Sequence, residues 1–252
     1  MTIHLPIYRQ KRKEDGNMQY REIVINDELF INQEFDSVIL SGKIGNPEFR
    51  TYTVEIPGKD GLLDLTESID GSVHYNNRDI EFRVFIAGKR INERLDLLNN
   101  YHGQYVKLYS TYDNNYYYKG RLFVSVEERK ATYAYVVLSF DCEPFKIKRE
   151  VTTSVHIIRN NQILKIKNTG RATTAKITFI QKVGDETEGN IALKIDIDNN
   201  SSILYNITDE ATFTIQANDN EFNMHTGHMI DSNFVEGLAS CKIKIEYTEI
   251  KL

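Results

Sequence analysis

Tryptophan is absent and cysteine nearly so: the 252 residues include no Trp and only Cys142 and Cys241. Two thiols cannot staple a chain of this length, which excludes a disulfide-built scaffold and favours a reducing site of synthesis. No uncharged apolar run approaches the ~20 residues of a membrane span, and Met1 to Asn32 lacks the apolar core of a signal peptide. Neither membrane insertion nor classical secretion is expected. Positive charge is not in surplus either, since 31 Lys and Arg against 36 Asp and Glu leave a formal charge of −5. Bulk electrostatic binding of nucleic acid is therefore disfavoured. The length exceeds the ~100–150 residues of an ordinary domain but suits one large all-β unit or two units with real cores.

Signatures of chemistry are missing as well. There is no Gly-x-Ser-x-Gly elbow and no His-Glu-x-x-His helix, and neither Cys142 nor Cys241 has a neighbouring His. Cys142 is expected to serve as a small hydrophobe in a core. Gly42-Lys43-Ile44-Gly45 and Gly58-Lys59-Asp60-Gly61 lack the spacing and the Ser or Thr of a phosphate cradle. A pair of glycosidase carboxylates is defined in space, so sequence spacing cannot pick one out. No catalytic residue, metal site or cofactor is assigned, and the chain is not expected to be an enzyme.

What is abundant favours pleated sheet. Fifteen Tyr and twelve Phe accompany many Ile, Val and Thr, residues that fit half-buried strands. Tyr52, Val54 and Ile56 alternate with Thr51, Thr53 and Glu55, as Ile80, Phe82, Val84 and Ile86 do with Glu81 and Arg83; both runs read as strands with one wet face. Asn76-Asn77-Arg78-Asp79 reads as the turn of a hairpin joining Ser72–Tyr75 to the strand from Ile80. Leu122, Val124 and Val126 continue the alternation. Tyr133 to Phe140 is apolar on both parities, which predicts a central strand covered on each face.

One segment has helical spacing. Ile91, Leu95 and Leu98 fall at i, i+4 and i+7 with Gly103 beyond them, the single amphipathic helix expected, without an evident cap at its start. Pro144 and the charged run after it interrupt the strand pattern, placing a boundary there: residues 1–146 as one domain and 147–252 as another. In the second, Val151–Ile158, Gln162–Lys167, Thr174–Ile180, Ile191–Ile197, Ser202–Ile207, Ala211–Ile215 and Lys242–Tyr247 are candidate strands of a β-sandwich. Ile191 to Ile197 should face Ile203 to Ile207 across Asp198-Asn199-Asn200-Ser201.

Four polar clusters invite a functional reading, each with a structural alternative. Asp196-x-Asp198-x-Asn200 has the first ligand positions of a calcium loop, but Ser201 and Ile207 stand where Gly and the anchoring Glu belong, so a hairpin turn is the better reading. His225 and His228, with Asp231 nearby, would need a bent loop to share a metal, because a spacing of three on a strand puts them on opposite faces. An exposed loop is expected there. Tyr116-Tyr117-Tyr118 could stack on sugars, yet alternation sends at least one of the three into a core. The basic run Arg9, Lys11, Arg12 and Lys13 is followed by Glu14 and Asp15, as on a solvated loop or an assembly contact.

The run Ile56-Pro57-Gly58-Lys59-Asp60-Gly61-Leu62-Leu63-Asp64-Leu65-Thr66 has a clear local logic. Pro57 withdraws a backbone donor at a strand end, and Gly58 and Gly61 permit a tight loop with Lys59 and Asp60 at its tip. Such a loop serves as a turn or as a contact. It also resembles the signature of the distal tail proteins of long-tailed phages infecting Gram-positive bacteria. Ile80-Glu81-Phe82-Arg83-Val84, the helix with Leu95, Leu97 and Leu98, Tyr117-Tyr118-Lys119-Gly120-Arg121 and Phe140-Asp141-Cys142-Glu143-Pro144-Phe145 follow in the family's order. The resemblance covers roughly Asp36 to Lys146.

The resemblance implies a mainly β protein: an amino-terminal split β-barrel with one α-helix, and a carboxy-terminal galectin-like β-sandwich. It also implies a role as a homo-hexameric hub of the virion tail, made in the bacterial cytoplasm, joining the tail tube protein to the baseplate or tail-tip protein. A receptor-binding protein would dock on the sandwich, and DNA would pass through the channel without specific binding. Pro57, Gly58, Lys59, Asp60, Gly61, Leu63 and Asp64 become the candidate assembly contact. Six copies at −5 each carry −30, and a cationic lumen would hold phosphates, so the channel wall is expected to be acidic or neutral. The alternatives are a carbohydrate-binding module contacting the host cell wall through residues 151–252, and a wall-degrading hydrolase. The chain has no surplus length for the carbohydrate modules inserted in some members of the family.

Overall fold

The computed structural model describes residues 22–35, 37–68, 71–183, 191–198, 201–206, 211–230, 233–237 and 240–252. The basic run at Arg9 to Lys13 lies outside them. In chain order the first unit contains β1 (Ile23–Ile25), β2 (Leu29–Phe30), α1 (Ile31–Phe35), β3 (Ser37–Ile44), β4 (Thr53–Glu55), β5 (Leu62–Asp64), β6 (Arg78–Ala87), α2 (Ile91–Asn99), β7 (Tyr105–Ser110), a 3-10 helix at Thr111–Asp113, β8 (Tyr116–Arg129), β9 (Tyr133–Cys142) and β10 (Lys146–Lys148). The main path of its large sheet runs β2-β1-β7-β8-β9-β6-β3, with β10 beside β8. Neighbours are antiparallel, and the register sets Phe82 opposite Leu138 and Leu138 opposite Val124.

Alternation explains which side is inside. Ile80, Phe82, Val84 and Ile86 of β6 are buried with Val136, Leu138 and Phe140 of β9 and Leu122 of β8, while Glu81 and Arg83 stay exposed. The helix α2 closes this core with Ile91, Leu95 and Leu98, and its first residue receives no side-chain cap. Arg94 ties it down by donating to Phe35 O at 2.6 Å and to Ala87 O. Cys142 is fully buried in the same core, and a Cβ on Gly120 would fall 2.5 Å from its Cα, so this crossing admits only glycine.

Three expectations about this unit are corrected. Ser72–Tyr75 does not form a hairpin with β6: Arg78 and Asp79 are already in the strand, and the 72–76 segment bonds to residues 48–50 instead. Arg78 is buried because its guanidinium donates to Pro144 O at 2.9 and 2.6 Å and lies 5.2 Å over the Tyr118 ring. A second helix, α1, precedes β3; its five residues are too few to display a period. The outer side of β9 is only half-buried, and its cover comes from neighbouring rings, with Phe85 5.2 Å from Tyr135 and 5.8 Å from Tyr133.

The second unit contains β11 (Thr152–Ile158), β12 (Gln162–Asn168), β13 (Thr173–Val183), β14 (Ile191–Asp198), β15 (Ser201–Asn206), β16 (Ala211–Ile215), β17 (Asn218–Ile230), β18 (Asn233–Glu236) and β19 (Ser240–Tyr247), followed by β20 (Ile250–Lys251). One sheet is ordered β11-β19-β13-β16; the other is β12-β17-β14-β15 with β18 on β17. Ile177, Phe213, Ile243 and Ile245 of the first share a core with Leu164, Ile195, Phe222 and Met224 of the second, which is the sandwich expected of seven alternating runs. The β14–β15 hairpin has the expected pairing, Leu193 with Tyr205 and Ile195 with Ile203. The mainly β expectation is met in both units.

The join is a splice. Along β8, β9 pairs from Arg129 to Gly120, and after Pro144 the chain resumes as β10 opposite Tyr117 and Tyr116. The free side of β10 is then taken by β20, Lys146 opposite Lys251. Between the units the buried Glu249 accepts from Lys148 Nζ at 2.7 Å and from the hydroxyls of Thr169 and Thr152 at 2.7 and 3.3 Å. The Lys148 contact foremost, with Thr169 and Lys251, holds its carboxyl down at about 2.

Candidate assembly surface

The family-like motif builds an arm that stands apart from the large sheet. Among the described residues strands β4 and β5 pair only with each other, Thr53 with Asp64 and Glu55 with Leu62, leaving Ile56–Gly61 as the loop. Lys59 N–H closes it on Ile56 O at 3.1 Å, with Pro57 second and Gly58 third at φ 82°, the residue choice of a type II turn. Gly61 is also left-handed, at φ 77°, and a Cβ at either glycine would meet nothing within 4 Å. Backbone conformation, not crowding, fixes glycine here.

Asp64 stiffens the return strand. Its Oδ1 accepts the Thr66 hydroxyl at 2.5 Å and the Thr66 N–H at 2.9 Å, which lowers its pKa. The Thr66 hydroxyl then accepts Tyr52 N–H at 3.1 Å, and Leu65 N–H reaches Tyr52 O at 2.7 Å. The base is latched by Arg50 N–H to His74 O and Asn76 N–H to Glu48 O, both 2.7 Å.

Pro57, Gly58, Lys59, Asp60, Gly61, Leu63 and Asp64 are thus brought together in one projecting hairpin. Sequence reasoning missed the apolar residues around them. Tyr52, Val54 and Ile56, read as core-facing, are exposed on an arm wet on both sides; Leu62, Tyr52 and Phe49 are 63%, 61% and 60% exposed. Their alternation is indistinguishable from that of β6, so no local signal could have separated the two. Between Glu48 and Glu67 five carboxylates face two cations, Arg50 and Lys59. A two-stranded ribbon with this much apolar exposure is marginal in water by itself.

Among the described residues the other candidates form no metal centre. His225 lies on β17, not on an exposed loop; Nε2 is 2.9 Å from Asp196 Oδ2 and Nδ1 is 3.2 Å from Glu236 Oε1. Carboxylates on opposite ring nitrogens cannot converge on one ion, and among the described residues no group of three His, Cys, Asp or Glu could hold a metal. The side chains of Asp198, Asn200 and His228 lie outside the described residues. Tyr118 is the core member of its triplet and donates to Asp113 at 3.0 Å. Burial pushes the Cys142 thiol up to about 12 and that of Cys241 to about 11, which makes both inert as nucleophiles.

No protein-family model matches the chain, and no curated protein matches it in sequence. Solved structures do. The chain is similar to the crystal structure of the SPP1 Dit protein, described as a paradigm of the hub adsorption apparatus in phages infecting Gram-positive bacteria, with a TM-score of 0.55 and 15% identity. That likeness covers 92% of this chain and 99% of the other. At so low an identity it speaks for architecture, and the chain has a Dit-like fold.

Proposed function

We propose that this chain is a structural hub of a phage tail, six copies closing head to tail into a ring that joins the tail tube protein to the baseplate or tail-tip protein. The observation that carries this reading is the end-to-end likeness in fold to a phage hub protein, both units included. Residues 1–146 form the ring. Residues 147–252 project from it as a galectin-like sandwich that receives a receptor-binding protein. The arm gives the ring a physical basis: its exposed apolar residues have no core among the described residues, a different surface of the next copy covers them, and such head-to-tail contacts close into a cycle where the rotation closes.

DNA passes through the ring without being held, past a wall that is acidic or neutral, consistent with −5 per copy. The protein acts without catalysis or cofactor. It is made in the host cytoplasm and works in the virion tail.

Light scattering on the purified chain tests the ring. Six protomers of 29.2 kDa give a mass about sixfold larger, and Leu62→Asp, which sets a charge in the exposed apolar arm, should return it to one protomer. A stable two-fold dimer overturns the ring, and an unaltered ring in the variant overturns the arm's part in it.

A further inference from the structure

Several sheet edges in this molecule are guarded. The edge strand β12 carries Lys165, paired with Glu221 at 2.6 Å, and Lys167. The edge strand β3 carries Lys43 and a register shift between Ile39 and Ser41. Charges and bulges of this kind stop an open edge from recruiting another strand. β11 has neither. It pairs with β19 through seven consecutive positions, Thr152 with Tyr247 to Ile158 with Cys241, without a shift. Its other edge is unpaired among the described residues.

From Val151 to Ile158 there is no Asp, Glu, Lys, Arg or Pro. The one titratable residue, His156, lies 2.9 Å from Ser154 Oγ, and burial lowers its pKa, so the strand is uncharged at neutral pH. Val151, Val155 and Ile157 are 53%, 50% and 50% exposed. The surroundings have a sign: Arg159 is exposed at the end of the strand, Lys242 sits in register beside Ile157, and Lys244 beside Val155 is tied to Glu246 at 3.0 Å. Glu150 marks the opposite end.

We propose that β11 is a docking edge to which an extended segment of another protein, β-branched in its middle and acidic where it meets Arg159, adds as a fifth strand. Backbone hydrogen bonds supply the attraction, the β-branched stripe supplies contact, and Arg159 at one end with Glu150 at the other sets direction. Taking the occupant as another protein, not a second copy, rests on the hub reading: a single cyclic ring has no two-fold axis about which two β11 edges could meet.

The probe is the fluorescein-labelled peptide Glu-Val-Thr-Val-Thr-Val-Thr, N-methylated on alternate residues so that one edge pairs and the other cannot, titrated into the full chain by anisotropy. Binding is expected with new hydrogen-exchange protection at 152–158, at least tenfold tighter than for the peptide with Lys in place of Glu. Val155→Lys, at a half-exposed position, should abolish it with the melting temperature unchanged. No protection at 152–158 under saturating peptide, or equal binding by Val155→Lys, overturns the proposal. A wild-type dimer that Val155→Lys dissolves overturns it in favour of a second copy. A ring that binds no peptide sinks only the docking edge; a protomer that binds it sinks only the ring.

Discussion

Two stretches of the first unit have the same pattern and opposite fates. In β6, Ile80, Phe82, Val84 and Ile86 are sealed in the core; in the arm, Tyr52, Val54 and Ile56 alternate just as regularly and are exposed. Alternation records that a face is meant to be dry. It does not say whether the chain itself or another molecule dries it. The difference lies in what stands opposite: among the described residues β6 has β9 on one side and β3 on the other, whereas β4 has only β5.

Substitutions can break that contrast. Phe82→Ala should cost about 3–5 kcal/mol in denaturant unfolding, because the ring is fully buried, 6.3 Å from Phe140 and 5.8 Å from Tyr112; a loss below about 1 kcal/mol would put β6 on a par with the arm. Burial by charge is the intermediate case. Glu249→Gln should cost about 1.5–3 kcal/mol at neutral pH. The folded carboxyl sits at about 2, below its ordinary 4.5, so its contribution is fully present above pH 4.5 and fades as pH falls through 2. Wild type and variant should therefore converge in acid melts.

On the arm the effects shrink. Gly58→Ala, forced into a left-handed turn, should cost about 1 kcal/mol locally, read as faster amide exchange at Val54 and Leu63 with the global melt unmoved. Leu62→Asp should change protomer stability by less than about 0.5 kcal/mol while removing the proposed ring. If it instead lowers the melting temperature of the protomer, the arm is covered from within.

Most of the fold was legible where polar and apolar residues strictly alternate, as in β6, β8 and β14, or keep helical spacing, as in α2. Two of the failures share a cause: polar residues taken inside. Along β17 the buried positions include Asn220 and Thr226, so the alternation vanishes in sequence. Asn220 is tolerated because it accepts Gln216 N–H at 2.7 Å and donates to Gln216 O at 2.9 Å. Arg78 reads as a turn residue on the same grounds, since its partners, Pro144 O and Tyr118, are remote in sequence. The loop at Pro57–Gly61 was readable as a turn from its glycines, but the isolation of its hairpin depends on what fails to pack against it, which no local pattern encodes.

The splice of β20 onto β10 sets an order of events. Residues 250 and 251, which finish a sheet begun at Ile23, emerge from the ribosome only after every strand of the sandwich. Closing that gap of roughly a hundred residues is slow relative to local pairing. A nascent chain therefore carries an open edge on β10 until the sandwich is made.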